Sequence, residues 1–181
     1  MGKVNSKQKG SRFERSICKF FQDWTGYEFS RVPASGGLRW KKTDNITSDI
    51  TCSDPKHSRR FSLSVECKSY QEIKFEHLLL GNKSCKIMSF WEQACSDAKR
   101  ANKVPILIMK YNNMPKDEAF FMVDKKTSEI ILNQLDKLEK PRMAIQMDKN
   151  QVFYIFMLSD IKNISYSTFH KEIRKSLKPK K

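Results

Sequence analysis

The sequence predicts a single α/β domain in which helices flank a mixed central β-sheet. Amphipathic segments with helical spacing alternate with strand-like segments along the 181 residues. Residues 104–111 and 152–158 are apolar on both faces, which is typical of strands covered by helices on each side. No internal repeat or domain boundary interrupts this order. We therefore assign residues 1–10 to a flexible basic arm, 11–177 to the domain and 178–181 to a basic tail.

Periodicity and turn residues predict the elements in order. Residues 11–24 carry one apolar stripe at helical spacing, and Gly26 ends that helix. Residues 61–67 alternate apolar and polar side chains, as a half-buried strand does, and the turn sequence at 54–58 joins them to 49–52 in a β-hairpin. The remaining predicted strands are 27–32, 104–111, 119–123, 143–147 and 152–158, and the remaining helices are 75–80, 87–101, 129–138 and 166–177.

The charge of the chain indicates a polyanionic partner. Lys and Arg outnumber Asp and Glu by 35 to 20, a net charge of +15, which favours nucleic acid first and an acidic membrane surface second. The longest apolar run, 152–158, is much shorter than the roughly 20 residues of a membrane span, and no apolar signal segment follows the basic N-terminus. Five cysteines without a C-x-x-C pair predict reduced thiols in an intracellular protein.

Glu66 and Lys68 are the strongest candidates for chemistry. Because they lie two residues apart in a strand, their side chains point to the same face of the sheet. A carboxylate in such a pair can hold a divalent cation, and the neighbouring ammonium can orient a water. The spacing alone is a weak signal, since Asp/Glu-x-Lys occurs six times in the chain and a solvated face explains any one pair. This pair differs in ending a strand whose other face is apolar.

Asp49 and Glu14 are candidates with structural alternatives. In the predicted hairpin Asp49 comes close to Glu66, and two adjacent carboxylates repel each other unless a cation lies between them. An isolated Asp at a strand start more commonly bonds to its own backbone. Glu14 flanks the buried stripe of its helix and can face the sheet edge, yet the segment Ser11 to Glu14 also matches a capping box, in which Glu14 only caps the helix.

Together, four segments resemble the PD-(D/E)XK nuclease superfamily. They are Lys9 to Arg15, Arg31 with Ser35-Gly36-Gly37, Ser48-Asp49-Ile50 and Val65 to Lys68. Within the superfamily the chain most resembles Holliday junction resolvases of the archaeal type and their phage relatives, and the resemblance implies a restriction-endonuclease-like fold. Ser48 stands where the superfamily's name has proline, a departure that removes no metal ligand.

The resemblance also implies roles for the matched residues. Asp49 and Glu66 would be the main ligands of Mg²⁺ or Mn²⁺, with the Cys67 carbonyl as a further ligand and Glu14 acting through a water. Lys68 would position the attacking water. Hard oxygen ligands of this kind suit either cation. The residues expected to contact DNA are Arg12, Arg31, Ser35, Arg39, Trp40, Lys41 and Lys42.

Two further side chains have open assignments. Trp40, within the basic loop, either stacks on an unpaired base near a branch point or packs on its own loop. Gln93, on the helix at 87–101, either approaches the site or is an ordinary exposed helical residue, and the exposed position is the favoured interpretation.

Three functions are consistent with these patterns. The first is a metal-dependent, structure-selective DNA endonuclease that resolves Holliday junctions; it predicts a C₂ homodimer, because two opposed strands must be cut. The second is a nicking, restriction-like or DNA-processing nuclease with the same site. The third is a basic nucleic-acid-binding protein without catalysis, and a protein of the membrane surface is more distant. Compact size and family likeness favour a phage protein of the host cytoplasm.

Overall fold

The computed structural model describes residues 6–32, 48–80, 85–135, 142–147 and 151–177. Its helices are α1 (Ser6–Thr25), α2 (Glu76–Leu79), α3 (Lys86–Ala101), α4 (Lys125–Leu132), α5 (Leu158–Lys162) and α6 (Tyr166–Leu177). Its strands are β1 (Phe29–Arg31), β2 (Ile50–Cys52), β3 (Leu63–Tyr70), β4 (Val104–Tyr111), β5 (Phe120–Asp124), β6 (Met143–Gln146) and β7 (Val152–Met157).

The predicted mixed α/β architecture is confirmed. Five strands form one sheet in the order β3-β4-β5-β7-β6, and β1 pairs with β2 in a separate two-stranded sheet. Strands β3 and β4 run parallel, while the other neighbours in the large sheet run antiparallel. The parallel pair requires a crossover connection, and α3 supplies it by packing against both strands.

The large sheet divides the apolar core into two parts. On one face, α1, α4 and α6 pack in a cluster whose fully buried members include Phe21 of α1, Phe121 of β5 and Phe156 of β7. On the other face, α3 packs through Trp91 against a cluster that includes Leu107. Burying an aromatic or aliphatic side chain of this size stabilises the fold by about 1.5–3 kcal/mol. The two-sided burial of β4 explains why its sequence is almost wholly apolar.

The predicted hairpin over 49–68 is wrong. Strand β2 pairs with β1, in the register Phe29↔Cys52, and β3 pairs with β4 instead. Turn residues at 54–58 fix a change of chain direction but not the strand that pairs afterwards. Strand β4 pairs with one edge of β3 over its whole length, whereas the segment just before β2 reaches the other edge through the Asp49 amide, which donates to the Val65 carbonyl oxygen.

Helix α1 begins earlier than predicted. It starts at Ser6, so residues 6–10 of the predicted flexible arm are helical, whereas residues 1–5 and the predicted tail 178–181 lie outside the described residues. Lysine and glutamine favour helix, and the Lys9 amine donates to the Tyr70 carbonyl oxygen at 2.8 Å, which ties this turn to the end of β3. Ser11 is therefore inside the helix, and the capping-box interpretation of Glu14 is wrong.

Several other helices and strands begin or end at residues that differ from the predicted ones. Helix α4 begins at Lys125 rather than 129, because the Asp124 carboxylate caps it by accepting from the Thr127 amide at 2.8 Å. Helix α5 follows β7 directly and was not predicted. Strand β4 and helix α6 have the predicted bounds. None of the helices that the structure describes combines the length and apolar character of a membrane span.

Candidate active site

Strand β3 carries Glu66 and Lys68 on the sheet face that α3 covers. Glu66 lies beside Leu107 in the parallel register, and Leu107 belongs to the core on that face. Glu66 is only 3% exposed. The Lys68 amine donates to Glu66 Oε1 at 2.5 Å and to Gln93 Oε1 of α3 at 3.0 Å. The two side chains thus form a partly buried ion pair whose ammonium is held from two elements.

Asp49 is bound to the edge of β3 that does not face β4. Its amide donates to the Val65 carbonyl oxygen at 3.1 Å, and its carboxylate accepts from the Cys67 amide at 2.7 Å. In an extended strand the N–H and C=O of one residue point to the same edge. The Cys67 carbonyl therefore lies along the edge that Asp49 occupies, and the carboxylate bonds to β3 rather than to its own turn.

Both carboxylates of the site have raised pKa values. Burial raises the pKa of Glu66 to about 7, and the negative charge of Asp49 adds to this shift. Burial also raises the pKa of Asp49, although the hydrogen bond from the Cys67 amide acts in the opposite direction. Burial acts to lower the pKa of Lys68, but the hydrogen bond and charge of Glu66 outweigh it and raise that pKa. A buried carboxylate whose pKa is raised by a neighbouring, half-buried carboxylate suits a divalent cation.

The oxygen donors present fit a hard divalent cation with open positions. In the part of the chain that the structure describes, no group of three or more His, Cys, Asp or Glu side chains is placed to hold a metal ion. A cation here would take its protein ligands from the Asp49 and Glu66 carboxylates and the Cys67 carbonyl. Mg²⁺ commonly binds through one or two carboxylates and keeps several waters, so the chemistry of these donors fits this cation.

Glu14 and Arg31 form an ion pair on the α1 side of the sheet. The Arg31 Nε donates to Glu14 Oε2 at 2.5 Å, and its Nη2 donates to Ser11 Oγ at 3.0 Å. The charge of Glu14 contributes to the raised pKa of Asp49. Both predicted site residues are therefore near Asp49, but each is engaged with the other.

Few of the predicted DNA-binding residues can be located. Arg12 is exposed on α1, where it lines an open groove with Lys7 and Arg15. The groove has the positive charge expected for contact with phosphates. The predicted residues Ser35, Arg39, Trp40, Lys41 and Lys42 lie outside the described residues.

Helix α3 contributes two residues that sequence reasoning missed or set aside. Asp97 is 8% exposed and forms an ion pair with Arg100, and its negative charge adds to the raised pKa of Glu66 and of Asp49. The sequence offered one signal for Asp97: it is an acidic residue among the apolar positions that the helix buries. Gln93 is exposed, which agrees with the favoured interpretation. Its side chain nevertheless reaches the site, because it accepts a hydrogen bond from Lys68.

If the site cleaves phosphodiesters, as the resemblance to PD-(D/E)XK nucleases implies, Gln93→Ala is expected to slow cleavage about 3- to 10-fold with little change in DNA affinity. A single hydrogen bond contributes about 0.5–1.5 kcal/mol, and its loss removes one of the two hydrogen-bond acceptors that position the Lys68 ammonium. Single-turnover rates at saturating enzyme measure the effect. Ser96→Ala, an exposed change on the same helix, is the control. A variant that cuts at the original rate but binds DNA weakly would place Gln93 in binding instead.

Two known proteins are similar to this chain. Protein D14 of Escherichia phage T5 is 24% identical over 132 residues, which cover 73% of this chain and 78% of that relative. Among solved structures, Hjc, a Holliday junction resolvase from the archaeal hyperthermophile Archaeoglobus fulgidus, aligns with 93% of this chain and all of its own, at 16% identity and a TM-score of 0.37.

The family assignment rests on a family model. The model described as "Phage putative PDDEXK endonuclease" matches residues 5–175. That range contains Glu14, Asp49, Glu66 and Lys68, so the resemblance to PD-(D/E)XK nucleases extends well beyond the short motifs. The chain belongs to the phage PDDEXK endonuclease family.

Proposed function

We propose that this protein is a metal-dependent, structure-selective DNA endonuclease that resolves four-way Holliday junctions during recombination or repair. The observation that carries the proposal is the buried Glu66–Lys68 pair on β3 with Asp49 bonded to the edge of the same strand. In a chain of net charge +15 that belongs to an endonuclease family, this site suits hydrolysis of a phosphodiester.

The residues of the chain have separable tasks in this reaction. The Asp49 and Glu66 carboxylates and the Cys67 carbonyl would hold Mg²⁺ or Mn²⁺, which would supply an activated water and neutralise charge on the phosphate. The Lys68 ammonium orients the attacking water and stabilises the negative charge that develops on the phosphate. Gln93 and Glu66 fix the position of that ammonium. Glu14, through its pair with Arg31, supports the network around Asp49.

The choice of branched DNA rests on the resemblance of the sequence motifs to junction resolvases. Lysine and arginine contacts to phosphates give affinity without sequence readout, which suits an enzyme that recognises shape. One chain offers one site, whereas a resolved junction has two opposed cuts, so we propose a C₂ homodimer. We also propose that the nuclease forms one domain, since α1 and α6 from the two ends of the chain pack in the same core.

The proposal predicts paired nicks in a four-way junction and little cutting of a linear duplex of the same sequence. We would label each strand, supply Mg²⁺, Mn²⁺ or a chelator, and measure the mass of the complex by sedimentation. We expect cleavage of the junction only when a metal ion is present. We also expect the protein to sediment as a dimer.

Two outcomes would contradict it in different ways. Equal cutting of junction and duplex would identify a nuclease of another specificity. Tight, salt-sensitive binding without cutting under either metal would instead support the basic nucleic-acid-binding protein.

A further inference from the structure

A cavity of about 540 Å³ lies between the end of β3 and the start of α3, next to the Glu66–Lys68 pair. Its size falls in the range of small-molecule sites, and no step of the proposed hydrolysis uses it. The walls combine two aromatic rings with several basic side chains. The lining residues that matter here are Tyr70, Lys74, His77, Lys86 and Phe90.

The cavity neighbours the candidate active site through the Phe90 ring. The Lys68 amine lies 5.3 Å from the centre of the Phe90 ring, and that ring lies 5.0 Å from the Tyr70 ring at an interplanar angle of 34°. Lys68 therefore contacts both the site and the first wall of the cavity. Consecutive phosphates of one DNA strand are spaced about 3.4 Å along the axis, so a nucleotide adjacent to the reacting phosphate comes within reach of these rings.

The chemistry of the walls matches an unpaired nucleotide. Bases stack on aromatic side chains irrespective of sequence, and amines contact the phosphates. The Lys86 amine lies 5.5 Å from the centre of the Tyr70 ring. A base stacked on Tyr70 would displace this amine from the ring, and the exposed amine would then be available to a phosphate. Glu72 also lines the cavity, but it is paired with Lys74 at 3.2 Å.

We propose that this cavity binds one unpaired nucleobase of the DNA strand that is cut, stacked on Tyr70 and Phe90. The position of that base beside the reacting phosphate rests on the proposed nuclease function. Binding of the base does not depend on the nuclease function, because the aromatic rings and amines that would bind it are separate from Asp49 and Glu66. Such a subsite favours DNA that is already unstacked, as at a branch point, since extrusion from a duplex costs a few kcal/mol.

The test compares a short oligothymidylate with an abasic oligomer of equal length and charge. Fluorescence anisotropy on the full chain, with chelator present to prevent cleavage, gives both affinities. We expect the protein to bind the oligothymidylate about 5- to 100-fold more tightly, because stacking contributes about 1–3 kcal/mol per base. Tyr70→Leu is expected to remove most of that preference, while Tyr70→Phe keeps it.

The abasic oligomer serves as the internal control. Its affinity should be the same for both variants, which shows that Tyr70→Leu is folded and that phosphate contacts are intact. Equal affinity of the original protein for the two oligomers, or an unchanged preference in Tyr70→Leu, would overturn the subsite. Neither result bears on the nuclease proposal, because no cleavage is measured.

Junction substrates then locate the base. An abasic nucleotide placed at each position around the cut should slow cleavage at one flanking position in the original protein and less in Tyr70→Leu. The same slowing in both proteins would place the base somewhere other than this cavity.

Discussion

Replacing Glu66 by glutamine is expected to lower the rate of junction cleavage by about 10³-fold or more, while DNA affinity stays within about twofold. The substitution keeps the shape of the side chain but removes the charge that faces Asp49. Stabilisation of transition-state charge by a bound cation amounts to several kcal/mol, and each 1.4 kcal/mol or so is tenfold in rate. Single-turnover cleavage and anisotropy measure the two quantities.

A second measurement separates loss of metal from damage to the fold. A cation that binds only the folded protein raises the melting temperature as its concentration increases. We expect the original protein to show this rise with Mg²⁺ or Mn²⁺ and Glu66→Gln to lose most of it. Glu129→Gln, exposed on α4 against the opposite face of the sheet, should behave like the original protein. Full activity in Glu66→Gln would remove Glu66 from the reaction.

Replacing Lys68 by glutamine is expected to lower the cleavage rate by about 10²–10³-fold through a different step. Removing one donor from a charge-stabilising site has effects of this size. Without the ammonium, the buried Glu66 carboxylate loses its hydrogen-bond donor at 2.5 Å, but it keeps its own oxygens for a cation. The variant should therefore bind DNA normally and still show the metal-dependent rise in melting temperature.

The contrast between the two variants is the sharper test. Glu66→Gln should lose both cleavage and the metal response, whereas Lys68→Gln should lose cleavage alone. Lys125→Gln, an exposed change on α4, controls for the loss of one positive charge from a basic protein. If Lys68→Gln also lost the metal response, Lys68 would be needed to assemble the ligand set rather than to act on water and phosphate.

Local periodicity in the sequence determined most of the elements. Strand β4 and helix α6 have the predicted bounds, because two-sided apolar character and a 3.6-residue apolar stripe each encode burial within a single segment. The same reasoning placed Glu66 and Lys68 on one face, since alternation is a property of any strand. Net charge likewise depends on composition alone.

Contacts between distant segments were decided only by the tertiary structure. The sequence did not reveal that β2 pairs with β1, or that the Cys67 amide binds the Asp49 carboxylate from 18 positions along the chain. Nor did it reveal that α3 brings Asp97 and Gln93 towards β3. Strand pairing depends on which surfaces bury most apolar area together. The pKa of Glu66 depends on burial and on charges brought close by folding, so Asp49, Glu66 and Lys68 could be found in the sequence but their ionisation could not.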